Sequence, residues 1–306
     1  LHCQPVSDEC PFNVRGQTLT PFPGVVIGHN DRIAWGFTNV GPDNMDFFRI
    51  KVNPDNPLQY EYNGEWVDMT VHEEVIRYAD SAETLTLQVR ETRFGPIIND
   101  NQLDENGQPM GFNNENPLAM RWAALDPSHT LTALFTMNAA QNWEEFRAGV
   151  ALFDAPSQNL VYADVDGNIG YQTPGLIPVR PAANDGLWPV DGSTDEYEWL
   201  GYIPYDDLPR VLNPERGYIQ TANQAVVPLE YYETLNARLS ETYGQPVNAV
   251  IGTDWAQGYR GQRIAELLEA TEMHSIDTFK TIQGDNKAVY AQEMMPFISA
   301  VDYGSD

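Results

Sequence analysis

Short segments rich in β-branched and aromatic residues alternate with glycine and proline along most of this chain, and this pattern constrains its fold most strongly. The 306 residues include 23 glycines and 22 prolines. Such punctuation is typical of strands joined by turns. Residues 84–90 (TLTLQVR) alternate apolar and polar side chains, which predicts a strand with one buried face. We therefore expect mostly antiparallel sheet in the first two thirds of the chain.

Two hairpins are predicted from their turn residues. Asn63 and Gly64 separate two strand-like segments and supply the positive φ angles that a type I′ turn requires. The sequence DGN at residues 166–168 separates residues 161–164 from residues 169–172 in the same way. Both signals place adjacent strands antiparallel to each other.

Helical patterns are fewer and lie mainly towards the end of the chain. Asn142 is a candidate N-cap with Glu145 three residues later, ahead of apolar residues at helical spacing. Further helices are predicted from Gln262 and from near Ser275. With no repeat and no linker in the sequence, the pattern predicts that residues 1–306 are a fragment of one α+β domain.

The charge balance excludes some classes of function. The chain has 17 basic and 44 acidic residues, a net charge of −27. A surface of this sign repels phosphate backbones, so nucleic acid is not expected as a partner. No apolar run approaches about 18 residues, so no membrane-spanning helix is expected either.

The common catalytic motifs are missing from the sequence. The segment HEEVI at residues 72–76 lacks the second histidine of a zinc-protease helix, and residues 164–169 lack the glycine of an EF-hand loop. There is no G-x-S-x-G elbow, phosphate loop or dinucleotide fingerprint, and the five histidines form no cluster.

Cys3 and Cys10 are either a local disulfide of an exported protein or two free thiols, and the sequence leaves both open.

One long segment and several shorter ones, in the same order along the chain, resemble a known family. They are TPFPGVVIGHNDRIAWGFTN (20–39), RFGP (93–96), RW (121–122), YADVDGNIGY (162–171), GYIQTAN (217–223) and WAQGYRGQRI (255–264). Together they resemble the β-subunit of the penicillin acylase (penicillin amidase) family, within the N-terminal-nucleophile hydrolases. The likeness covers nearly the whole chain. It implies a four-layer αββα sandwich with largely antiparallel sheets between the helices.

The resemblance also implies a chemistry. Members of this family hydrolyse a linear amide bond of an acylated amine, such as a penicillin, an N-acyl amino compound or an acyl-homoserine lactone. The nucleophile is the serine at the N-terminus of the β-subunit, which a zymogen exposes by cleaving itself, and an acyl-enzyme forms. The free α-amine can act as the general base for its own hydroxyl, so no histidine is required.

Three positions match the family's catalytic residues. The backbone N–H of Asn39 and the side-chain amide of Asn223 are predicted to stabilise the oxyanion, and Arg260 is predicted to orient Asn223. The alternative interpretations are an asparagine that binds a turn backbone and an ordinary surface arginine.

Other positions match the family's acyl pocket. Ile27, Leu134 and Gln158 are predicted to contact the acyl group, which fits an aliphatic chain as well as a phenylacetyl group. Each can instead be a core residue, and for Leu134 that interpretation is preferred.

A structural calcium site is a further implication of the resemblance. Asp43, Asp46 and the carbonyl of Met45 match the family's calcium loop, and a carbonyl near Gly186 and an acid such as Glu230 are weaker members. The family's site also draws on the α-subunit. The alternative is an ordinary acidic loop in an acidic protein.

The chain begins at Leu1 where the resemblance requires earlier residues with a leading serine. We therefore expect an inactive part of a larger enzyme, whose partners are the α-subunit and the missing N-terminal part of the β-subunit. The expected substrate is a small amide, and the expected location is periplasmic or secreted. A non-catalytic, strand-rich extracellular module that binds calcium or carbohydrate is the main alternative. A glycoside hydrolase has only the abundance of aspartate and glutamate in its favour.

Overall fold

The computed structural model describes residues 3, 5, 7, 9–79 and 81–301. Leu1, His2 and the last five residues, on which the prediction about the chain ends depends, lie outside the described residues.

The strands are β1 (Arg15–Gln17), β2 (Ile27–His29), β3 (Ile33–Asn39), β4 (Met45–Arg49), β5 (Val52–Asn53), β6 (Asn56–Tyr62), β7 (Glu65–Asp68), β8 (Thr70–Arg77), β9 (Thr84–Thr92), β10 (Gly95–Pro96), β11 (Leu118–Trp122), β12 (Gln158–Asp164), β13 (Ile169–Gln172), β14 (Pro178–Pro181), β15 (Val190–Asp191), β16 (Gly201–Tyr202), β17 (Arg210–Leu212) and β18 (Val247–Ala249). The α-helices are α1 (Thr130–Ala139), α2 (Trp143–Val150), α3 (Leu229–Tyr243), α4 (Tyr259–Glu269), α5 (Ile276–Gln283) and α6 (Val289–Ser299), with short 3-10 turns at Ala123–Leu125 and Tyr205–Asp207.

The largest sheet has six antiparallel strands in the order β1-β2-β3-β12-β13-β17. Its centre is the β3–β12 pair, whose register runs from Ile33 opposite Asp164 to Asn39 opposite Gln158. This register brings Asn39 and Gln158 to the same end of the sheet.

Four smaller sheets surround it among the described residues. Each has three strands, in the orders β10-β9-β8, β11-β4-β15, β16-β14-β18 and β5-β6-β7. The pairing of β15 with β4 is parallel, and the other pairings are antiparallel. The predicted α+β class with largely antiparallel sheets is therefore confirmed.

The local predictions are confirmed where turn or cap chemistry is strong. Asn63 and Gly64 have φ angles of 50° and 82° between β6 and β7, as a type I′ turn requires. Asn142 caps α2 by accepting a 2.9 Å hydrogen bond from the backbone N–H of Glu145. The helix predicted from Gln262 begins three residues earlier, at Tyr259, and Ser275 caps α5. Helices α1, α3 and α6 were not predicted.

Two hydrophobic clusters hold the helices on the sheets. In the first, α1 and α2 pack on the central sheet through buried residues such as Met137, Phe146 and Leu160. In the second, α3 packs against β14 and β18. Fully burying a side chain of this size stabilises the fold by about 1.5–3 kcal/mol. The helices thus cover one face of the central sheet and one face of the β16-β14-β18 sheet.

Cys3 and Cys10 are joined in a disulfide, with their Cα atoms 5.8 Å apart, which decides between the two alternatives that the sequence left open. Within the part of the chain that the structure describes, no helix combines the length and apolar character needed to cross a membrane.

Candidate active site

The end of β3 is held by close backbone packing. Asn39 is the last residue of this strand, and the chain beyond it lies against residues 251 and 252. The N–H of Asp43 donates to the carbonyl of Ile251 at 2.7 Å. A Cβ added at Gly252 would lie 2.3 Å from the carbonyl oxygen of Gly41, so only glycine allows this approach. The segment that carries Asn39 is therefore fixed against the one that leads to α4.

The structure brings the three predicted catalytic residues into one hydrogen-bonded group. The side-chain amide nitrogen of Asn223 donates to the carbonyl of Asn39 at 2.7 Å. Nη2 of Arg260 donates to the amide oxygen of Asn223 at 2.7 Å and to the carbonyl of Ala222 at 2.9 Å. The carbonyl of Asn223 accepts from the N–H of Ala256 at 2.9 Å. Asn223 thus contacts both of the other predicted residues directly.

The guanidinium group decides which way the Asn223 amide points. Arginine carries only donors, so the amide oxygen must face Arg260 and the amide nitrogen must face the other way. Asn223 adopts a left-handed conformation with a φ of 61°, which asparagine tolerates better than most residues. The amide nitrogen carries two hydrogens, and the carbonyl of Asn39 accepts one of them. Asn39 and Arg260 are exposed and Asn223 is half-buried, so the group is open to a ligand.

The predicted acyl-pocket residues lie in three different environments. Ile27 in β2 is 40% exposed, and Gln158 is half-buried opposite Asn39. Leu134 is 6% exposed and belongs to the cluster beneath α1 and α2. Leu134 is therefore a core residue, as the preferred interpretation of the sequence had it, and Ile27 and Gln158 are the more accessible pair.

The predicted calcium loop surrounds an arginine side chain. Arg180 in β14 has no exposed surface and donates to both carboxylates. Its Nη2 lies 2.8 Å from an oxygen of Asp43 and 2.8 Å from an oxygen of Asp46. Its Nε donates to the second oxygen of Asp46 at 2.9 Å. A single guanidinium cation thus pairs with both acids from within the fold.

Further donors use the remaining lone pairs of Asp46. Asn184 Nδ2 and Trp199 Nε1 donate to one of its oxygens at 3.0 and 2.6 Å. Gly186 also lies here, since a Cβ added to it would be 2.9 Å from a carboxylate oxygen of Asp43. Calcium requires six to eight oxygen ligands that are free to coordinate it. The residues as arranged do not fit a calcium ion between the two carboxylates.

The same region contains no other metal cluster among the described residues. No group of three or more histidine, cysteine, aspartate or glutamate side chains there is arranged to hold a metal ion. Met45 contributes to β4, and Glu230 lies exposed in the first turn of α3. Calcium binding by this loop stays a prediction, and the contacts of Arg180 count against it.

Burial dominates the protonation behaviour of this cluster. It raises the pKa of the Asp43 carboxyl above its ordinary value, although Arg180 acts in the opposite direction. Burial alone would lower the pKa of Arg180, but its hydrogen bond to Asp46 and the charges of both acids outweigh that and raise it. The arginine is therefore charged at every physiological pH.

Two functional candidates were missed from the sequence. Arg180 is flanked by apolar residues in the segment PVRP, and a charged residue in such a setting signals a buried ion pair. Asn159, the second residue of β12, also donates to the carbonyl of Asn39, at 3.1 Å. An asparagine directly ahead of the apolar residues of a strand is the sequence signal that could have identified it.

Comparisons with known proteins show which family the chain belongs to. The sequence model of the penicillin amidase family matches residues 1–305. An acyl-homoserine lactone acylase, QuiP, from Pseudomonas fluorescens (strain Pf0-1) is 30% identical over 295 residues, which cover 94% of this chain and 32% of the relative. Penicillin G acylase of Escherichia coli is 34% identical over 215 residues, which cover 70% of this chain and 24% of the relative.

A solved structure shows the same fold. The thermostable penicillin G acylase from Alcaligenes faecalis matches with a TM-score of 0.75 and 24% sequence identity, over 96% of this chain and 49% of that one. This likeness confirms the fold that the sequence resemblance implied. The chain spans about a third or less of the length of the two curated relatives described above.

Proposed function

The chain belongs to the penicillin amidase family, and from this premise we propose that it is part of an amidohydrolase that cleaves a linear amide bond of an acylated amine. The relatives described above are named acylases, which supports an amide as the substrate class. Because the chain spans only part of their length, the proposal concerns the full gene product that contains these residues.

The hydrogen-bonded group of Asn39, Asn223 and Arg260 carries the proposal. Attack on an amide carbonyl builds negative charge on its oxygen, and donors that already point at this position lower the barrier. The second hydrogen of the Asn223 amide nitrogen and the backbone N–H of Asn39 are the two donors in this proposal. Arg260 holds the amide so that its nitrogen, not its oxygen, faces the developing charge.

The nucleophile in this proposal lies outside these 306 residues. It is the serine at the N-terminus of the mature β-subunit, exposed when a zymogen cleaves itself, with its own α-amine as general base. The α-subunit and the first part of the β-subunit complete the enzyme. The 306-residue chain by itself is then inactive.

The substrate in this proposal is a small acylated amine. Penicillins, N-acyl amino compounds and acyl-homoserine lactones all present a linear amide, and the relatives' names cover the first and the last of these. Ile27 and Gln158, the two accessible candidates, would contact the acyl group. Export to the periplasm or the exterior is part of the proposal, and the disulfide between Cys3 and Cys10 supports it because such bonds persist in oxidising compartments.

Hydrolysis by the full gene product tests this function. Phenylacetyl amides, aliphatic acyl amides and acyl-homoserine lactones are the substrates to assay. Asn223→Ala should lower kcat by about 10²–10³ with little change in KM, because it removes one oxyanion donor. The isolated chain should show no turnover.

Asn213→Ala is the matched control. Asn213 is also an asparagine with a left-handed backbone, with a φ of 49°, and it binds the N–H of Ile169 at 2.9 Å. It should keep the wild-type kcat. Equal kcat for wild type and Asn223→Ala would contradict the assigned site. No hydrolysis of any of these amides, together with tight binding of a glycan, would instead favour the binding-module alternative.

A further inference from the structure

Asn159 is a buried asparagine beside the candidate oxyanion site. It lies in β12 with 1% of its surface exposed, directly after Gln158. Its amide nitrogen donates to the carbonyl of Asn39 at 3.1 Å and to Oγ1 of Thr38 at 3.1 Å. Both hydrogens of the amide are therefore used at the end of β3.

The orientation of the Asn159 amide is fixed from its other side. The hydroxyl of Tyr171 donates to its oxygen at 2.6 Å. Thr173 Oγ1 lies 2.6 Å from the same hydroxyl, and since the tyrosine proton is already used, Thr173 is the donor there. Burial raises the pKa of Tyr171, so the hydroxyl keeps its proton. If the Asn159 amide were rotated by 180°, its NH₂ group would face the hydroxyl of Tyr171, which is also a donor, and this hydrogen bond would be lost.

The chain of hydrogen bonds continues to the segment that carries Asn223. Thr38 Oγ1, which accepts from Asn159, donates to Oγ1 of Thr221 at 2.8 Å. Thr221 lies two residues before Asn223. The hydroxyls of Tyr171 and Thr38 each accept one bond and donate the next, an arrangement in which each bond strengthens its neighbour.

The two candidate oxyanion donors are thus tied to the same asparagine. The carbonyl of Asn39 accepts from Asn223 at 2.7 Å and from Asn159 at 3.1 Å. Through Thr38 and Thr221, Asn159 also links the end of β3 to the segment that carries Asn223. A shift of Asn159 would displace Asn39 directly and would reach Asn223 only through Thr38 and Thr221, so the distance between the two donors would change.

We propose that Asn159 is a positioning residue that sets the distance between the Asn39 and Asn223 donors of the oxyanion site. It does not touch the substrate and acts through the hydrogen bonds just described. The proposal rests on the function proposed above, since it gives that same site a further residue. A mutation that does not touch the substrate can still displace a catalytic group by about 1 Å, and such a displacement can lower the rate by about 10². The effect is therefore measurable.

Asn159→Asp in the full gene product is the test. The aspartate keeps the shape and the acceptor for Tyr171, but it replaces the nitrogen that donates to Asn39 with an oxygen that repels it. We expect kcat to fall about tenfold or more while KM changes by less than about threefold, since binding of the ground state does not depend on the oxyanion donors. Tyr171→Phe, which removes only the hydroxyl that fixes the amide, should lower kcat by a smaller factor.

Asn30→Asp is the matched control for loss of stability. Asn30 is also buried, and its amide nitrogen donates to the carbonyls of Asn138 and Ala140 at 3.2 and 2.7 Å. It lies beyond the opposite end of β3, about 20 Å of strand away from Asn39. This variant should lose stability and keep its kcat.

The outcomes separate this inference from the proposed function. A folded Asn159→Asp enzyme with wild-type kcat, alongside an impaired Asn223→Ala, overturns the positioning role and leaves the function intact. If Asn223→Ala is also fully active, the site itself is misassigned. If Asn159→Asp does not fold, Tyr171→Phe decides, and an unchanged kcat there overturns the proposal.

Discussion

At the scale of single residues, Arg260 shows how one side chain can decide the chemistry of another. Its Nη2 binds the oxygen of the Asn223 amide and the carbonyl of Ala222. An amide is nearly symmetric in shape, so its orientation depends on its partners: the carbonyl of Asn39 accepts from the nitrogen, and Arg260 donates to the oxygen. Whether Asn223 presents its amide nitrogen or its amide oxygen to a ligand therefore depends on the residues around it.

The first prediction concerns this arginine. Arg260→Met should lower kcat of the full gene product about tenfold, because the Asn223 amide then points its oxygen at the oxyanion in part of the molecules. Arg260→Lys retains a donor without the fixed planar geometry and should be intermediate. Arg216→Met is the control, since Arg216 also donates to a backbone carbonyl, that of Tyr218 at 2.9 Å. Steady-state kinetics that show equal losses for Arg216→Met and Arg260→Met would refute the role.

The second prediction concerns Asp126 and pH. Hydrogen bonds from Arg121 lower the pKa of Asp126 in spite of its partial burial, and the hydroxyl of Tyr202 adds a further bond at 2.7 Å. A carboxyl whose folded pKa is depressed stabilises the fold above its ordinary pKa of about 3.9, and this contribution is lost as the pH falls through the lowered value. Asp126→Asn should therefore unfold at a lower temperature at pH 7, and the difference should shrink between pH 4 and pH 2.

The thermal midpoint against pH for wild type and Asp126→Asn is the measurement. Two curves that stay parallel down to pH 2 would show that Asp126 is not the responsible group. Asp277→Asn is a suitable control, because this exposed acid only pairs with Lys280 on the surface of α5.

At the scale of secondary-structure elements, the sequence predicted what local chemistry determines. The Asn63-Gly64 turn, the Asn142 cap and the Ser275 cap each depend on a few neighbouring residues, and all three were found in place. Helix α3 begins after Pro228 with no side-chain cap, and α1 has threonines among its apolar residues, so neither carries a clear start signal or periodicity. Their packing against the sheets is decided by residues distant in sequence.

The candidate site divides in the same way. Asn39, Asn223 and Arg260 were found because ordered motifs around them resemble a family. Asn159 and Arg180 were missed, because their roles come from the register of β12 against β3 and from the approach of β14 to residues 43–46. A polar residue beside apolar neighbours marks each of them as unusual, but no local pattern encodes its partners, so only the folded structure shows what each residue contacts.

The third prediction belongs to α2. Asn142→Ala removes the acceptor for the N–H of Glu145 and should destabilise the protein by about 1 kcal/mol. Phe146 and Val150 of this helix are fully buried against the central sheet. Loss of the cap should therefore lower the free energy of unfolding of the whole protein. Asn142→Asp keeps the acceptor and adds a charge that the helix N-terminus favours, so it should match wild type. A denaturant titration in which Asn142→Ala is as stable as Asn142→Asp would contradict this.

At the scale of the whole molecule, buried charge joins segments that are far apart in sequence. Arg180 connects β14 to the loop of Asp43 and Asp46, more than 130 residues earlier, and Trp199 adds a third segment through Asp46. The same loop follows Asn39 directly. The cluster that was predicted to bind calcium therefore anchors the strand that carries a candidate catalytic donor, with an arginine as its cation.

The fourth prediction follows from that anchoring. If Arg180 takes the place of a metal ion between Asp43 and Asp46, then chelation of divalent cations should leave both the thermal midpoint and the kcat of the full gene product unchanged. Arg180→Gln leaves the buried Asp46 and the half-buried Asp43 without their cation and should cost about 3–5 kcal/mol, the range measured when one partner of a buried ion pair is removed. Added calcium should then restore part of that stability, because the freed carboxylates become available as oxygen ligands. A wild-type midpoint that falls with chelator and recovers with calcium would show instead that an ion binds beside the arginine, and that the loop holds both cations.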